Sequence, residues 1–226
     1  MEAPASNAAH KLDMIEPKQM DKTVKFWDNV SKRFGNTNRT MNSPALQTIR
    51  QNANKYFTST DKILDIGCGP GDITIEIARK TQEVFATDIS EGMIYAAKQK
   101  AVEHNINNIQ FFRTDLHDKN FQTASFDVIT AFNMLQYVPA KQHLYEKIHE
   151  FLKPQGLFIS STVCLRERKS ALRFMMAGLT RLKIVPEILF YKTSELESEI
   201  KESGFTIIEA KDIAKHPERF IIATKD

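Results

Sequence analysis

Ile63-Leu-Asp-Ile-Gly-Cys-Gly-Pro-Gly-Asp72 is the stretch on which the fold turns. Its beginning lies in a short apolar run, Lys62–Ile66, that reads as a buried strand, and from Gly71 to Arg79 apolar residues return at helical spacing. Between the two, Gly67, Gly69 and Gly71 occupy alternate positions. Glycines placed between a strand and a helix let the backbone turn sharply and admit a ligand with no Cβ in the way. Open α/β sheets bind ligands beyond the carboxyl ends of their strands, so this loop predicts a site as well as a fold.

Working outward, the same rhythm of strand, turn and helix continues. Glu83–Asp88, Asn108–Arg113, Phe126–Phe132 and Gly156–Thr162 read as strands, and Ser90 to His104 and Ala140–Leu152 as helices between them. Thr193-Ser194 is expected to cap a helix that Gly204 stops, and two further strand-like runs, Phe205–Ile213 and Arg219–Thr224, flank a turn containing Pro217. Upstream, Val24, Trp27, Val30 and Phe34 recur at helical spacing up to Gly35; Asn36 to Asn42 is turn-rich, and Ser43-Pro44 opens a helix to about Phe57. Near-continuous Ile/Val/Phe strands alternating with amphipathic helices require a parallel sheet covered on both faces. The predicted fold is a doubly wound, Rossmann-like α/β domain, with a mostly parallel sheet, an antiparallel C-terminal edge hairpin and an N-terminal helical cap over 21–57. Residues 1–20, small and polar, read as a mobile leader to a single domain spanning 21–226.

Composition narrows the class. In 226 residues, 42% hydrophobic and 26% charged, there is room for a core, so a disordered chain is excluded; no uncharged apolar run is long enough to span a bilayer. The opening residues carry an early acid and no apolar segment of the kind that directs secretion, so a cytoplasmic protein is expected. Cys68 and Cys164 make no disulfide framework, neither lies in a metal-spaced cluster, and a net charge of +3 gives no strong nucleic-acid signal.

The loop also selects among ligands. A dinucleotide fingerprint counted from Gly67 needs its third glycine at position 72, which is Asp, and the Lys and spacing of a phosphate-binding P-loop are missing. Asp65 and Asp72 bracket the loop. A pyrophosphate there would meet like charge, whereas an adenosine-type ligand with an ammonium or sulfonium tail would meet opposite charge.

Leu64-Asp-Ile-Gly-Cys-Gly-Pro-Gly71 resembles the first motif of class I S-adenosylmethionine-dependent methyltransferases. The later motifs follow in order: Asp88 within Ala86-Thr-Asp-Ile-Ser-Glu-Gly-Met-Ile94, then Thr114-Asp115-Leu116, then Phe126 to Val138, Leu152-Lys-Pro-Gln-Gly-Leu-Phe158 and Leu196 to Phe205. The resemblance covers roughly residues 22–226 and is strongest to the small-molecule branch. It implies S-adenosyl-L-methionine as cofactor, S-adenosyl-L-homocysteine as product and a small-molecule methyl acceptor. Asp88 would accept the ribose hydroxyls, Ile89 and Met93 would sandwich the adenine, and Asp115 with the Leu116 backbone would meet the adenine amino group. Gly67 and the chain near Asn133 would hold the methionine part, with Asp65 beneath its ammonium end. Gly69, Gly71 and Cys68, a small filler, would complete the loop. Three of these residues also admit a purely structural role: Asp88 and Asp115 as helix-end or capping groups, Met93 as core.

No catalytic base is assigned. Tyr137, His143 and Tyr191 are the candidates, and Gln136 and Tyr137 stand where related sequences often carry histidine. An insertion, Cys164 to Lys192, holds seven Lys and Arg against Glu167 and Glu187, with Leu172, Met175, Leu179 and Leu182 at helical spacing and Phe174 and Met176 beside them. It is expected to cap an acceptor with an apolar body and an anionic part, or to touch an anionic membrane weakly; a solvated basic face packed on the domain is the alternative. The competing functions are an RNA or protein methyltransferase, an NAD-dependent oxidoreductase and a non-catalytic methyltransferase-like partner protein.

Overall fold

A computed structural model describes residues 17–33, 44–116, 121–139, 141–166, 171–182, 185–213 and 218–225. The expectations at 1–16, Phe34 to Ser43, Ala140 and the turn at Pro217 lie outside these, as do Glu167, Arg168, Lys169 and Lys183. The strands are β1 (Lys62–Ile66), β2 (Glu83–Asp88), β3 (Ile109–Arg113), β4 (Phe126–Phe132), β5 (Leu152–Val163), β6 (Phe205–Ile213) and β7 (Glu218–Lys225). They form one sheet in the order β3-β2-β1-β4-β5-β7-β6. All neighbours from β3 to β5 are parallel, while β7 runs antiparallel between β5 and β6.

The helices are α1 (Pro17–Ser31), α2 (Pro44–Ala53), α3 (Asp72–Ala78), α4 (Glu91–Glu103), α5 (Lys141–Phe151), α6 (Ala171–Arg181) and α7 (Thr193–Glu202). Side chains alternate along each strand, so the buried residues form two clusters. Leu64, Ile129 and Phe158 pack with Tyr145 and Ile148 of α5 and with Leu196 and Ile200 of α7. Ile63, Val128 and Ile159 pack with Ile49 of α2 and Ile77 of α3. Each such side chain contributes about 1.5–3 kcal/mol on burial.

Four boundaries depart from the sequence expectation. α1 starts at Pro17, inside the stretch read as leader, with proline at its opening position. α2 stops at Ala53, and the chain then turns so that the Tyr56 hydroxyl meets Glu209 of β6. β5 begins at Leu152, because Leu152 pairs with Phe126 before Leu157 pairs with Val128; the residues between bulge out around Pro154 and Gln155, whose φ is 62°. At α7 the Glu195 carboxylate accepts from the Lys192 amide at 3.1 Å, so Lys192 is the cap residue and Thr193-Ser194 are already helical.

The strand order reverses between β1 and β4. Loops that leave their carboxyl ends, at Gly67 and at Asn133, therefore open a crevice between them.

Candidate functional site

Gly67, Gly69 and Gly71 all take positive φ, at 69°, 54° and 82°. A Cβ on Gly67 would lie 2.9 Å from Met134 Cβ, and one on Gly71 would lie 3.0 Å from Ala97 Cβ, so the loop is clamped between the β4 segment and α4. Gly69 has nothing within 4 Å of that position, and this is where the loop is open to a ligand.

Three of the loop's amides are committed inside the protein. Cys68 N donates to Thr87 O at 2.9 Å, Gly69 N to Asp88 Oδ2 at 3.0 Å, and Gly71 N to Cys68 O at 3.1 Å. Phosphate-cradling loops work by offering such N–H groups to the anion, and these three are already donated.

Asp88 is the hinge of the site. Its Oδ2 accepts from Gly69 N, its Oδ1 accepts from Ser90 N at 2.9 Å, and its backbone oxygen accepts from Thr114 N at 3.1 Å. One residue thus ties together the loops after β1, β2 and β3. Burial raises the carboxyl above its ordinary range, the amides of Ser90 and Gly69 oppose this, and nearby Asp28 adds to the rise. The Ile89 amide also bonds the carboxylate, which with about four acceptor sites can still take a further donor.

Asp65 is buried, accepting from Thr130 Oγ1 on Oδ1 and from Thr74 Oγ1 on Oδ2, each at 2.7 Å. Desolvation pushes its pKa up to about 6 against the lowering effect of the two hydroxyls. Asp72 differs from the sequence reading: Lys100 of α4 forms an ion pair with it, so its charge is balanced. The acidic character of the loop rests on Asp88 and Asp65. Burial, with Asp88 and Asp65 beside it, raises the Cys68 thiol well above its usual value, which suits a filler and not a nucleophile.

The residues that the resemblance assigns to an adenine are placed as follows. Met93 is buried, with its amide donating to Ser90 Oγ at 3.1 Å, and Ile89 is half-buried. Leu116 is buried at φ 74°, its amide donating to Thr114 Oγ1, while Asp115 is exposed. On the other wall, Asn133 sits at φ 54° with its amide donating to Ser161 O. Its buried Oδ1 and the buried Oε1 of Gln136 have no donor among the described residues. Gln136 Nε2 donates to Asn133 O at 2.8 Å, so its oxygen is the atom left over. Of the base candidates, His143 pairs with Glu146 and Tyr191 is buried under Lys141. Tyr137 is raised above its ordinary pKa by burial, against any role as a base at neutral pH.

Four partners carry no signal of their role in the sequence. Asp28 of α1 meets Ser90 from 62 residues upstream, and Trp27 meets Tyr137 from farther still, without any local signature. Thr74 and Thr130 look like ordinary helix and strand residues. Gly92, by contrast, stands two residues past Ser90 in a helix, and a glycine in a first turn is a signal of close approach.

In the inserted segment, Arg166 pairs with Glu195 at 2.9 Å, and Arg181 is exposed. Of the apolar stripe, Met175 and Leu182 are exposed and Leu179 half-buried; Phe174 beside it is 71% exposed. Among the described residues no group of His, Cys, Asp and Glu is placed to hold a metal, and no helix is long and apolar enough to cross a membrane.

A family model described as a methyltransferase domain matches residues 57–216. The chain is 26% identical over 162 residues to a ubiquinone biosynthesis O-methyltransferase of Acinetobacter baumannii, covering 69% of this chain and 68% of that one. With a protein of the same name from Actinobacillus pleuropneumoniae serotype 5b it shares 29% over 197 residues, covering 85% and 80%. Among solved structures, a SAM-dependent methyltransferase from Aquifex aeolicus superposes with a TM-score of 0.67 at 14% identity, over 88% of this chain and 98% of that one. The [4+2]-cyclase SpnF superposes at 0.70 with 15% identity, over 92% and 94%. At these identities the structural likeness speaks for the fold alone.

Proposed function

The chain belongs to the class I S-adenosylmethionine-dependent methyltransferases, and from that membership we propose that it methylates a small, partly apolar metabolite at oxygen, nitrogen or carbon. When bound, S-adenosylmethionine supplies a methyl group already activated on sulfur, and S-adenosylhomocysteine is what leaves. The residues present fit this group. Asp65 and Asp88 stand at a loop whose Cys68, Gly69 and Gly71 amides are already donated, the face at Gly69 is open, and Asn133 Oδ1 is a buried acceptor in want of a donor such as an ammonium. Asp88 would take the ribose hydroxyls, and Gly67 with Asn133 the methionine part, above the buried charge of Asp65. Ile89 and Met93 would flank the adenine, with Asp115 and the Leu116 backbone at its edge.

What the protein contributes to the reaction is alignment, which can supply effective molarities of about 10⁵–10⁸ M. A base is needed only where the acceptor atom must shed a proton, and no side chain is assigned to that task.

The observation that carries the acceptor class is the similarity to proteins named ubiquinone biosynthesis O-methyltransferase, across 68% and 80% of their length. The exposed Phe174, Met175 and Leu182 beside Arg181 support it, as an apolar, cationic flank is what a partly apolar acceptor with an anionic group would meet. The test is a panel of hydroxylated aromatics, amines, RNA and protein offered with isotopically labelled methyl donor and read by mass spectrometry. A gain of one methyl on a hydroxylated aromatic is expected; labelling confined to RNA or protein sinks the proposal.

A further inference from the structure

Helix α1 lies far from the cofactor loops in sequence yet touches two of them. On one side Asp28 Oδ1 accepts from Ser90 Oγ at 2.6 Å and from Gly92 N at 3.1 Å. Both donors belong to the first turn of α4, immediately after Asp88. On the other side the Trp27 ring meets Tyr137 edge-on, with centroids 5.1 Å apart, in the segment that follows β4. α1 therefore bridges the loop that carries Asp88 and the segment that carries Asn133, the two walls between which the cofactor is expected.

The contact is close and specific. Ser90 Oγ accepts from Met93 N as the cap of α4, so its own proton is available for Asp28; the Gly92 amide is one of the orphan donors that every helix start leaves. Asp28 completes both. A Cβ on Gly92 would overlap the Ser31 hydroxyl and crowd Ser31 Cβ at 3.0 Å, so a side chain here would push Ser31 aside and work against α1 sitting this near. Ser31 is itself held by donating to Asp28 O at 2.8 Å.

Resting on the methyltransferase reading above, we propose that Asp28 is a positioning residue for the cofactor. It latches α1 onto the start of α4 and thereby sets the loop from Asp88 to Ser90, and Trp27 reports whether the latch is closed. Because the same contacts order α1 and shape the loop, cofactor binding and α1 docking are linked, and each strengthens the other.

Trp27 is the chain's single tryptophan, so its fluorescence can be followed without competition. S-adenosylhomocysteine is titrated into the full chain, with calorimetry giving the dissociation constant and Trp27 emission giving the state of α1. For the wild type, emission should change and saturate at the calorimetric constant. Asp28→Ala should weaken binding about tenfold, from the loss of a cap and a charged hydrogen bond, and its emission should be red-shifted before ligand is added. Asp28→Asn should restore most of the affinity, because one amide oxygen can accept both bonds that Oδ1 accepts now. Gly92→Ala keeps Asp28 and improves helix propensity, so weaker binding by this variant would report the lost close approach and not poor folding. In assays, the Michaelis constant for S-adenosylmethionine should rise in Asp28→Ala while kcat at saturating cofactor changes little. Wild-type affinity and unchanged emission in both Asp28→Ala and Gly92→Ala overturn the latch and leave the methyltransferase reading standing. No binding by the wild-type chain overturns both.

Discussion

Asp88 accepts a backbone amide on each of its two oxygens, and that makes asparagine a poor stand-in for it. An amide side chain can satisfy Gly69 N or Ser90 N with its oxygen, but its nitrogen then faces the other donor. Asp88→Asn is expected to lose at least about 1.5–3 kcal/mol of cofactor binding, tenfold or more in affinity, where calorimetry with S-adenosylhomocysteine shows it. Near-wild-type affinity would mean that the two amides do not set the carboxylate. Asp65 yields a pH prediction instead. Its pKa in the folded chain is about 6 against an ordinary value of 3.8, so the folded state keeps a proton that the unfolded chain releases between those values. Stability from this group is fully present below the lower value, falls as pH rises through the window, and is gone above the upper one. Integrated, the effect is about 3 kcal/mol. Denaturant unfolding of the wild type and Asp65→Asn at pH 4 and pH 7 should show the wild type losing ground to the variant by that order, and parallel profiles would contradict it.

At the scale of elements, legibility followed how local the causes are. β1, the glycine loop and α3 were readable because an apolar strand, three glycines and a helical period lie within 18 consecutive residues, Lys62 to Arg79. β5 was half hidden: Lys153-Pro-Gln-Gly156 looks like a turn, and only pairing of Leu152 with Phe126 shows that the strand starts before it. The cap of α7 lies at Lys192, before the Thr193-Ser194 pair that the sequence suggests, since Glu195 reaching back to the Lys192 amide needs no hydroxyl at the cap. Asp72 looked like a loop charge because its partner, Lys100, stands 28 residues on. α6 combines both cases: its period was visible, but which side it exposes was not. Because Phe174 and Met175 are exposed, replacing both with serine should leave stability within about 0.5 kcal/mol. If α6 flanks the acceptor, the same variant should raise the acceptor Michaelis constant severalfold while that for S-adenosylmethionine holds. An unchanged acceptor constant would remove α6 from the acceptor site.

For the molecule as a whole, charge and backbone geometry point the same way about the ligand. The chain carries a net charge of +3, yet Asp65 and Asp88 stand at the carboxyl ends of β1 and β2, with Asp28 of α1 bonded to the start of α4. A pyrophosphate would enter against these carboxylates and find the amides of Cys68, Gly69 and Gly71 already donated. A sulfonium nucleoside meets attraction at the same place. The two ligands therefore separate by linkage: a compound that binds only the folded chain stabilises it by RT ln(1 + [L]/Kd), about 2.7 kcal/mol at a hundredfold excess over Kd. S-adenosylhomocysteine at that excess should raise the unfolding midpoint by several degrees, and NAD at the same concentration should leave it unmoved. The protection should also be local. Amides that open only with the whole chain should slow together as the midpoint rises, and beyond that exchange ought to slow further at Gly67 to Gly71, Ser90 to Met93, Thr114 to Leu116 and Asn133 to Tyr137, with no such added protection in β6 and β7. A midpoint raised by NAD, or protection centred on β6 and β7, would place the ligand somewhere other than the crevice where the strand order reverses.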